Sequence, residues 1–165
     1  MRHLTLTLIL LFVSLSSSQV TVAGSPEQSV KDFMQVYLDG YEKYLKGGDN
    51  ADVTTVTDHF SEPLVMMPPQ GAVPMATHAD FAPNIKYFLD EVLKKKGVVK
   101  LKWTKLQIAI LSDTQALASG LADALDKDGN TVEQRASIYL ITKSEKGWEV
   151  AVNLPHSPTT MPTIN

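Results

Sequence analysis

Apolar side chains recur at steps of three and four residues after residue 25, a spacing that predicts amphipathic helices. The first helix is predicted between a Ser25 cap and Gly47-Gly48. A short second helix is expected before Phe60. A third is expected to begin at a Thr77 cap and to end in the positive charge of Lys94–Lys96. The apolar stripe of the first helix comprises Val30, Phe33, Met34, Tyr37, Tyr41, Tyr44 and Leu45.

The second half of the chain changes to a period of two, which predicts long strands. The alternation slips by one residue near Thr104-Lys105, as at a β-bulge where a strand bends. Residues 115–125 alternate small and larger side chains, Asp128-Gly129-Asn130 is a hairpin signal, and strands follow at 131–143 and 148–154. Helices followed by strands predict an α+β fold. We expect one strongly curved sheet, mixed or antiparallel and cone-shaped, wrapped around about three N-terminal helices and enclosing an apolar pocket.

The amino terminus has the pattern of a secretory signal peptide. Arg2 and His3 precede an apolar run that ends at Leu15, and small residues follow up to Gly24. The run is shorter than the roughly 20 residues that a membrane-spanning helix needs. We therefore predict a signal peptide over residues 1–24, no membrane span after its cleavage, and a secreted or periplasmic location.

Residues 25–158 are predicted to form one domain, and the proline-rich residues 159–165 a loose tail. The composition is 44% hydrophobic and 20% charged with a net charge of -3, which argues against disorder and nucleic-acid binding. The chain has no cysteine, so it forms no disulfides. No metal or cofactor is predicted, because none of His59, His78 and His156 is paired at helical spacing with another ligand and no phosphate-binding loop occurs.

The order of these elements, and the glycine and proline residues that separate them, resemble the nuclear transport factor 2-like superfamily. This superfamily includes ketosteroid isomerase and the SnoaL-like polyketide cyclases. The resemblance is carried by Gly48-Asp49 after the first helix, Glu62-Pro63 before a short strand, Gly147-Trp148 in the last strand and the segment Asn153–Pro158. It implies a cone-shaped sheet with a cavity at its wide end. It also implies a homodimer formed through the outer face of the sheet.

The resemblance assigns two positions a chemical role. In isomerase-type relatives a tyrosine on the first helix polarises a ketone, and Tyr41 is similarly placed, although it is equally explained as a core residue with its hydroxyl at the rim. The place of the general base, just before Pro68, is held by Met67, whose thioether is not a base. Proton transfer of the isomerase type is therefore expected to be absent or carried by another residue.

Asp123 and Arg135 are two further candidates. Asp123 shares its strand parity with Leu121 and Leu125, and inside a cavity it would have a raised pKa and could act as an acid or a base. The alternative places it near a strand end, in water. The resemblance suggests that Arg135 holds an anionic group in the pocket, with Asp123 as its partner. The alternative is a surface arginine beside Glu133.

His156 follows the last strand, where the cavity of the family opens, and it could titrate near neutrality; alternatively it is a solvated loop residue.

The leading hypothesis is a secreted or periplasmic protein that binds a small apolar or ring-containing ligand without a complete catalytic set. One alternative is a SnoaL-like cyclase or isomerase with Asp123 or His156 as proton carrier and Tyr41 as donor. Another is a structural dimerisation module. The predicted ligand contacts are Tyr37, Tyr41, Met67, Trp103, Arg135 and His156.

Overall fold

The computed structural model describes residues 24–160, 162 and 164, so the predicted signal peptide lies outside the described residues apart from Gly24. The helices are α1 (Pro26–Lys46), α2 (Thr54–Thr57) and α3 (His78–Tyr87), with a π-helix at Phe88–Leu93 and 3-10 turns at Gly48–Asn50, Lys94–Lys96 and Pro158–Thr160. The strands are β1 (Phe60–Met66), β2 (Val73–Met75), β3 (Lys100–Ser112), β4 (Gln115–Leu125), β5 (Thr131–Ser144) and β6 (Gly147–His156). Within this part of the chain no helix is long and apolar enough to cross a bilayer.

One six-stranded sheet has the order β2-β1-β6-β5-β4-β3. Every neighbouring pair is antiparallel except β1 and β6, which run parallel. The sheet is curled but not closed. The predicted α+β fold, with a curved mixed sheet around N-terminal helices, is confirmed.

Local signals place the helix ends where the sequence predicts them. Ser25 Oγ accepts a hydrogen bond from the Gln28 amide at 3.2 Å, as a helix cap does. Thr77 and Asp80 form a reciprocal capping box at the start of α3. Gly97 ends the last helical turn with a φ of 77°, a conformation in which glycine has no steric penalty.

The β1 strand is longer than predicted. The sequence suggested that Glu62-Pro63 separates a helix from a strand, but β1 begins at Phe60 and includes Pro63. Pro63 lacks an amide hydrogen, and it is tolerated because the pairing of β1 with β6 is irregular between Phe60 and Val65. The short strand β2 was not predicted, since it is three residues long and contains Pro74.

The β3–β4 pairing shifts register between Trp103 and Lys105, which confirms the predicted bulge. The extra residue allows side chains on both sides of the bulge to face the helices. Strand pairing then defines an inner face, which packs against α1 and contains the fully buried Ala116 and Ala118. The small side chains of β4 are on this inner face, namely Ala116, Ala118, Gly120, Ala122 and Ala124.

The opposite, outer face of the sheet carries partly exposed apolar side chains, namely Leu117, Leu121, Ile138, Leu140, Val152 and Leu154. Ser119 lies on this face and is fully buried, and its hydroxyl donates to the carbonyl oxygen of Pro162 at 3.2 Å. The tail, which was predicted to be loose, therefore contacts the sheet at this point.

Candidate ligand cavity

A cavity of about 430 Å³ lies between α1, the helix that begins at His78, and the inner face of the sheet. Its apolar wall includes Leu38, Met66, Phe81, Ile85, Phe88, Leu101 and Trp103. Its polar lining includes Tyr37, Tyr41, Arg135, Tyr139, Asn153 and His156. Five of the six residues predicted to contact a ligand are thus brought together, with Met67 as the exception.

Small side chains on β4 make room for the aromatic wall. A Cβ atom at Gly120 would lie 2.4 Å from Cζ3 of Trp103, far inside van der Waals contact. The Trp103 ring is held from the other side, because its Nε1 donates to the Met34 carbonyl oxygen at 3.0 Å. Trp103 also meets Tyr139 edge-to-face, with 6.2 Å between ring centroids. This packing fixes one wall of the cavity.

Two buried tyrosine hydroxyls form a hydrogen-bonded network beside this wall, with a third tyrosine next to them. The hydroxyl oxygens of Tyr37 and Tyr41 are 2.9 Å apart, and the Tyr139 ring meets the Tyr37 ring edge-to-face with 5.7 Å between centroids. Burial is the main cause that raises the pKa of each phenol, to about 12 for Tyr139 and well above the usual value for Tyr37 and Tyr41. All three therefore remain protonated near neutral pH and act as hydrogen-bonding groups rather than as bases.

Arg135 lies near the tyrosines and pairs with Glu133. Its Nε donates to Oε1 of Glu133 at 2.7 Å, and its guanidinium carbon lies 4.8 Å from the centroid of Phe88. Burial alone would raise the pKa of Glu133, but hydrogen bonds from Lys96 and Arg135 outweigh it and hold the pKa below its usual value. Glu133 therefore takes the partner role that the sequence suggested for Asp123.

His156 and Asn153 contribute the unsatisfied polar atoms of the site. Nδ1 of His156 lies 2.8 Å from the Ser157 carbonyl oxygen, which only accepts, so Nδ1 carries the hydrogen and Nε2 is bare in the neutral ring. Nε2 of His156 and Oδ1 of Asn153 are buried and have no hydrogen-bond partner among the described residues. An unpaired buried acceptor is destabilising, so a donor placed beside either atom would be favoured.

Asp123, a candidate proton carrier, does not line the cavity, and of its two predicted placements the one towards water applies. Its carboxylate accepts hydrogen bonds from Thr131 Oγ1 at 3.2 Å and from Gln134 Nε2 at 2.9 Å, on the other side of the sheet. The physical reason is the parity of β4: the small side chains face α1 and Trp103, so the alternate positions, which include Asp123, point outward.

Met67 is also outside the cavity. It follows the last residue of β1 and is 39% exposed, while its neighbour Met66 lines the cavity. A strand places successive side chains on opposite sides, so only one of the two can face inward. Sequence reasoning missed Tyr139 and Asn153 as cavity residues. The alternation of β5 and β6 would have predicted both once one inward-facing residue of the sheet was known, because Tyr139 and Asn153 are paired.

A family model described as "NTF2-like protein (DUF6841)" matches residues 26–158. The chain belongs to this family. The superfamily inferred from the order of elements is therefore confirmed. Among proteins with curated functions, none matches the chain.

Solved structures share the fold of this NTF2-like chain at low sequence identity. A domain of unknown function with a cystatin-like fold from Nostoc punctiforme is 15% identical, with a TM-score of 0.60 over 81% of this chain and 77% of that one. An NTF-2 like protein of unknown function from Shewanella oneidensis is 14% identical, with a TM-score of 0.59 over 80% and 99%. An NTF2-like protein with a cystatin-like fold from Novosphingobium aromaticivorans is 10% identical, with a TM-score of 0.58 over 79% and 80%.

Metal-binding side chains do not gather at the cavity. Within the described ranges, no group of three or more His, Cys, Asp or Glu side chains could hold a metal ion. The polar groups that line the cavity are phenol hydroxyls, a serine hydroxyl, two amides, an imidazole and the Arg135–Glu133 ion pair.

The contact between Gly120 and Trp103 yields a prediction about stability. Gly120→Ala should lower the free energy of unfolding by about 1–3 kcal/mol, because the added methyl group overpacks the wall and displaces the indole ring. Urea unfolding measures the change, and tryptophan fluorescence of the folded state reports the displacement. Gln115→Ala, at the exposed start of β4, is the control and should change stability by less than about 0.5 kcal/mol. An unfolding midpoint unchanged by Gly120→Ala would contradict the predicted packing.

Proposed function

We propose that this protein binds a small, mostly apolar molecule that carries a hydrogen-bond acceptor. The observation that carries the proposal is the hydrogen-bonded pair of Tyr37 and Tyr41 hydroxyls, with Tyr139 beside it, inside an otherwise largely apolar cavity. The cavity volume of about 430 Å³ falls in the range of small-molecule sites. A hollow of this size also argues against a purely structural module whose interior is filled by its own side chains.

Counting hydrogens in the network supports an acceptor on the ligand. The two phenol hydroxyls of Tyr37 and Tyr41 supply two hydrogens, and the contact between them uses one. One hydrogen is left for an outside acceptor, such as a ketone or ether oxygen. Neutral donors favour a neutral acceptor, because an anion would lose its hydration while the guanidinium of Arg135 is already paired with Glu133.

The lining contains little that could move protons. Within the described part of the chain, Glu133 is the one carboxylate that lines the cavity, and its ion pairs with Arg135 and Lys96 lower its basicity. This favours binding over catalysis.

We also propose a secreted or periplasmic location, which depends on the predicted signal peptide. Mass spectrometry of the exported protein should give a first residue of Ser25, and an uncleaved or unexported chain would reject this location.

Removing a hydroxyl tests the proposed recognition. The probes are 2-acetonaphthone and 2-ethylnaphthalene, which have similar shapes and differ in the carbonyl group. The ketone should bind about 2- to 12-fold more tightly, as expected for one net hydrogen bond. Tyr41→Phe and Tyr37→Phe should reduce this preference while retaining affinity for the hydrocarbon. Isothermal titration calorimetry and quenching of tryptophan fluorescence measure both affinities.

Tyr87→Phe is the matched control, because Tyr87 is 66% exposed and outside the cavity. This variant should keep the full preference for the ketone. If the wild-type protein binds neither probe, or if all four proteins show the same preference, the proposed recognition is wrong.

A second candidate function is proton transfer on a ketone, for which the bare Nε2 of His156 is the supporting observation. The imidazole would take a proton from the carbon beside the carbonyl group, and the C–H electron pair would form an enolate. The enolate oxygen would accept a hydrogen bond from Tyr41. Return of a proton to carbon restores the ketone, so the exchange needs no other reactant.

Deuterium exchange distinguishes this second function from binding. In heavy water the methyl hydrogens of 2-acetonaphthone should exchange faster with the wild-type protein than in buffer, as NMR can follow. His156→Gln should return the rate to that of the buffer without abolishing binding. Equal rates for the wild-type protein, the variant and buffer would leave binding without catalysis.

We further propose a homodimer formed through the apolar outer face of the sheet, which is supported by its partly exposed Leu140 and neighbours. Sedimentation velocity should show a dimer for the wild-type protein and a monomer for Leu140→Glu, because a buried unpaired carboxylate is costly. Val36→Glu, at a 52% exposed position on α1, should remain dimeric. A monomeric wild-type protein would refute the dimer.

A further inference from the structure

A second hollow adjoins the cavity. This groove, of about 260 Å³, lies between α3 and the β1–β2 hairpin. It shares four apolar lining residues with the cavity, namely Met66, Phe81, Ile85 and Phe88. The groove is therefore the far side of one wall of the cavity rather than an unrelated surface feature.

Two of the four shared side chains are suited to moving out of the wall between the cavity and the groove. Phe88 is half-buried, and it begins the π-helix that follows α3, an irregularity that recurs at functional sites. Met66 is partly buried and unbranched, so it adapts easily to a neighbour. Phe81 and Ile85 are buried and hold the base of the wall. A narrow passage between Met66 and Phe88 would connect the two hollows.

The chemistry of the groove is almost entirely apolar. Asn84 is the one polar side chain that lines it within the described part of the chain, and no charged side chain does so. Val73, at its rim, is 44% exposed, so an empty groove leaves apolar surface in contact with water. A compact ring held in the cavity would not cover this surface, whereas an unbranched hydrocarbon chain could thread the passage and do so.

We propose that the two hollows form one binding path for an elongated amphipathic molecule. Its polar oxygen binds the hydroxyls of Tyr37 and Tyr41, and its unbranched hydrocarbon chain passes between Met66 and Phe88 into the groove. This inference rests on the proposed function, because it uses the same hydroxyl network as the anchor. It makes the length of the chain, and not only the shape of the anchored end, a determinant of specificity.

A homologous series of linear methyl ketones tests the path. Affinities of 2-hexanone, 2-octanone, 2-decanone and 2-dodecanone are measured by displacement of 2-acetonaphthone. Each methylene that becomes buried should raise the affinity about fourfold. With the wild-type protein the rise should continue to the longest members, because the groove accepts the chain after the cavity is filled.

Filling the groove should remove this gain selectively. Val73→Trp and Asn84→Trp place an indole in the groove from its two opposite walls, and both positions are exposed, so the fold should tolerate them. Each variant should bind 2-hexanone and 2-acetonaphthone like the wild-type protein but lose the added affinity of 2-decanone and 2-dodecanone. Val36→Trp, at an exposed position outside both hollows, is the control and should keep the full rise.

The outcomes separate this inference from the proposed function. If 2-acetonaphthone and 2-hexanone bind but the rise stops at the same length in the wild-type protein and in both groove variants, the path is refuted and the proposed function stands. If neither compound binds to the wild-type protein, both are refuted. A rise that the two groove variants abolish and Val36→Trp retains supports the path.

Discussion

The cavity depends on the near absence of side-chain volume along the inner face of β4. Ala116 and Ala118 are fully buried, and Gly120 leaves space that the Trp103 ring occupies. Larger residues at these positions would push the indole towards α1 and fill the hollow. Trp103 and Tyr139 meet edge-to-face. The small side chains of β4 that make room for Trp103 therefore also fix the position of the Tyr139 ring. Packing and recognition are thus set by the same strand.

The polar groups of the cavity are divided by charge. The deep groups are phenols that burial keeps neutral, while the charged groups, Arg135 and Glu133, neutralise each other and are further tied to Lys96. A ligand therefore meets hydrogen-bond donors without a net charge. This division is the physical basis of the proposed preference for a neutral oxygen over a carboxylate, and it would keep the donors protonated over a wide range of pH.

Sequence patterns predicted the parts of the fold that short-range chemistry determines. The Ser25 and Thr77 caps, the bulge after Trp103 and the hairpin at Gly129 all depend on a few adjacent residues. The inward side of β4 could not be read in this way, because alternation of alanine with leucine fits either orientation. The sequence therefore leaves both placements of Asp123 open, one inside the cavity and one in water. Which side faces inward is decided by the volume of α1 and Trp103, which only tertiary packing reveals.

The bulge in β3 has a consequence for how this chain can vary in length. Because Thr104 is the extra residue at the register shift, it separates inward-facing Trp103 from inward-facing Leu106 by an odd count. Deleting Thr104 would leave Lys105 opposite Leu121 and Leu106 opposite Gly120, so strict alternation would return with Leu106 and Ile108 still facing inward. The chain can therefore lose its extra residue here and lose only the bend, whereas deleting a single residue farther along β3, such as Gln107, would turn Ile108 to the outer side of the sheet.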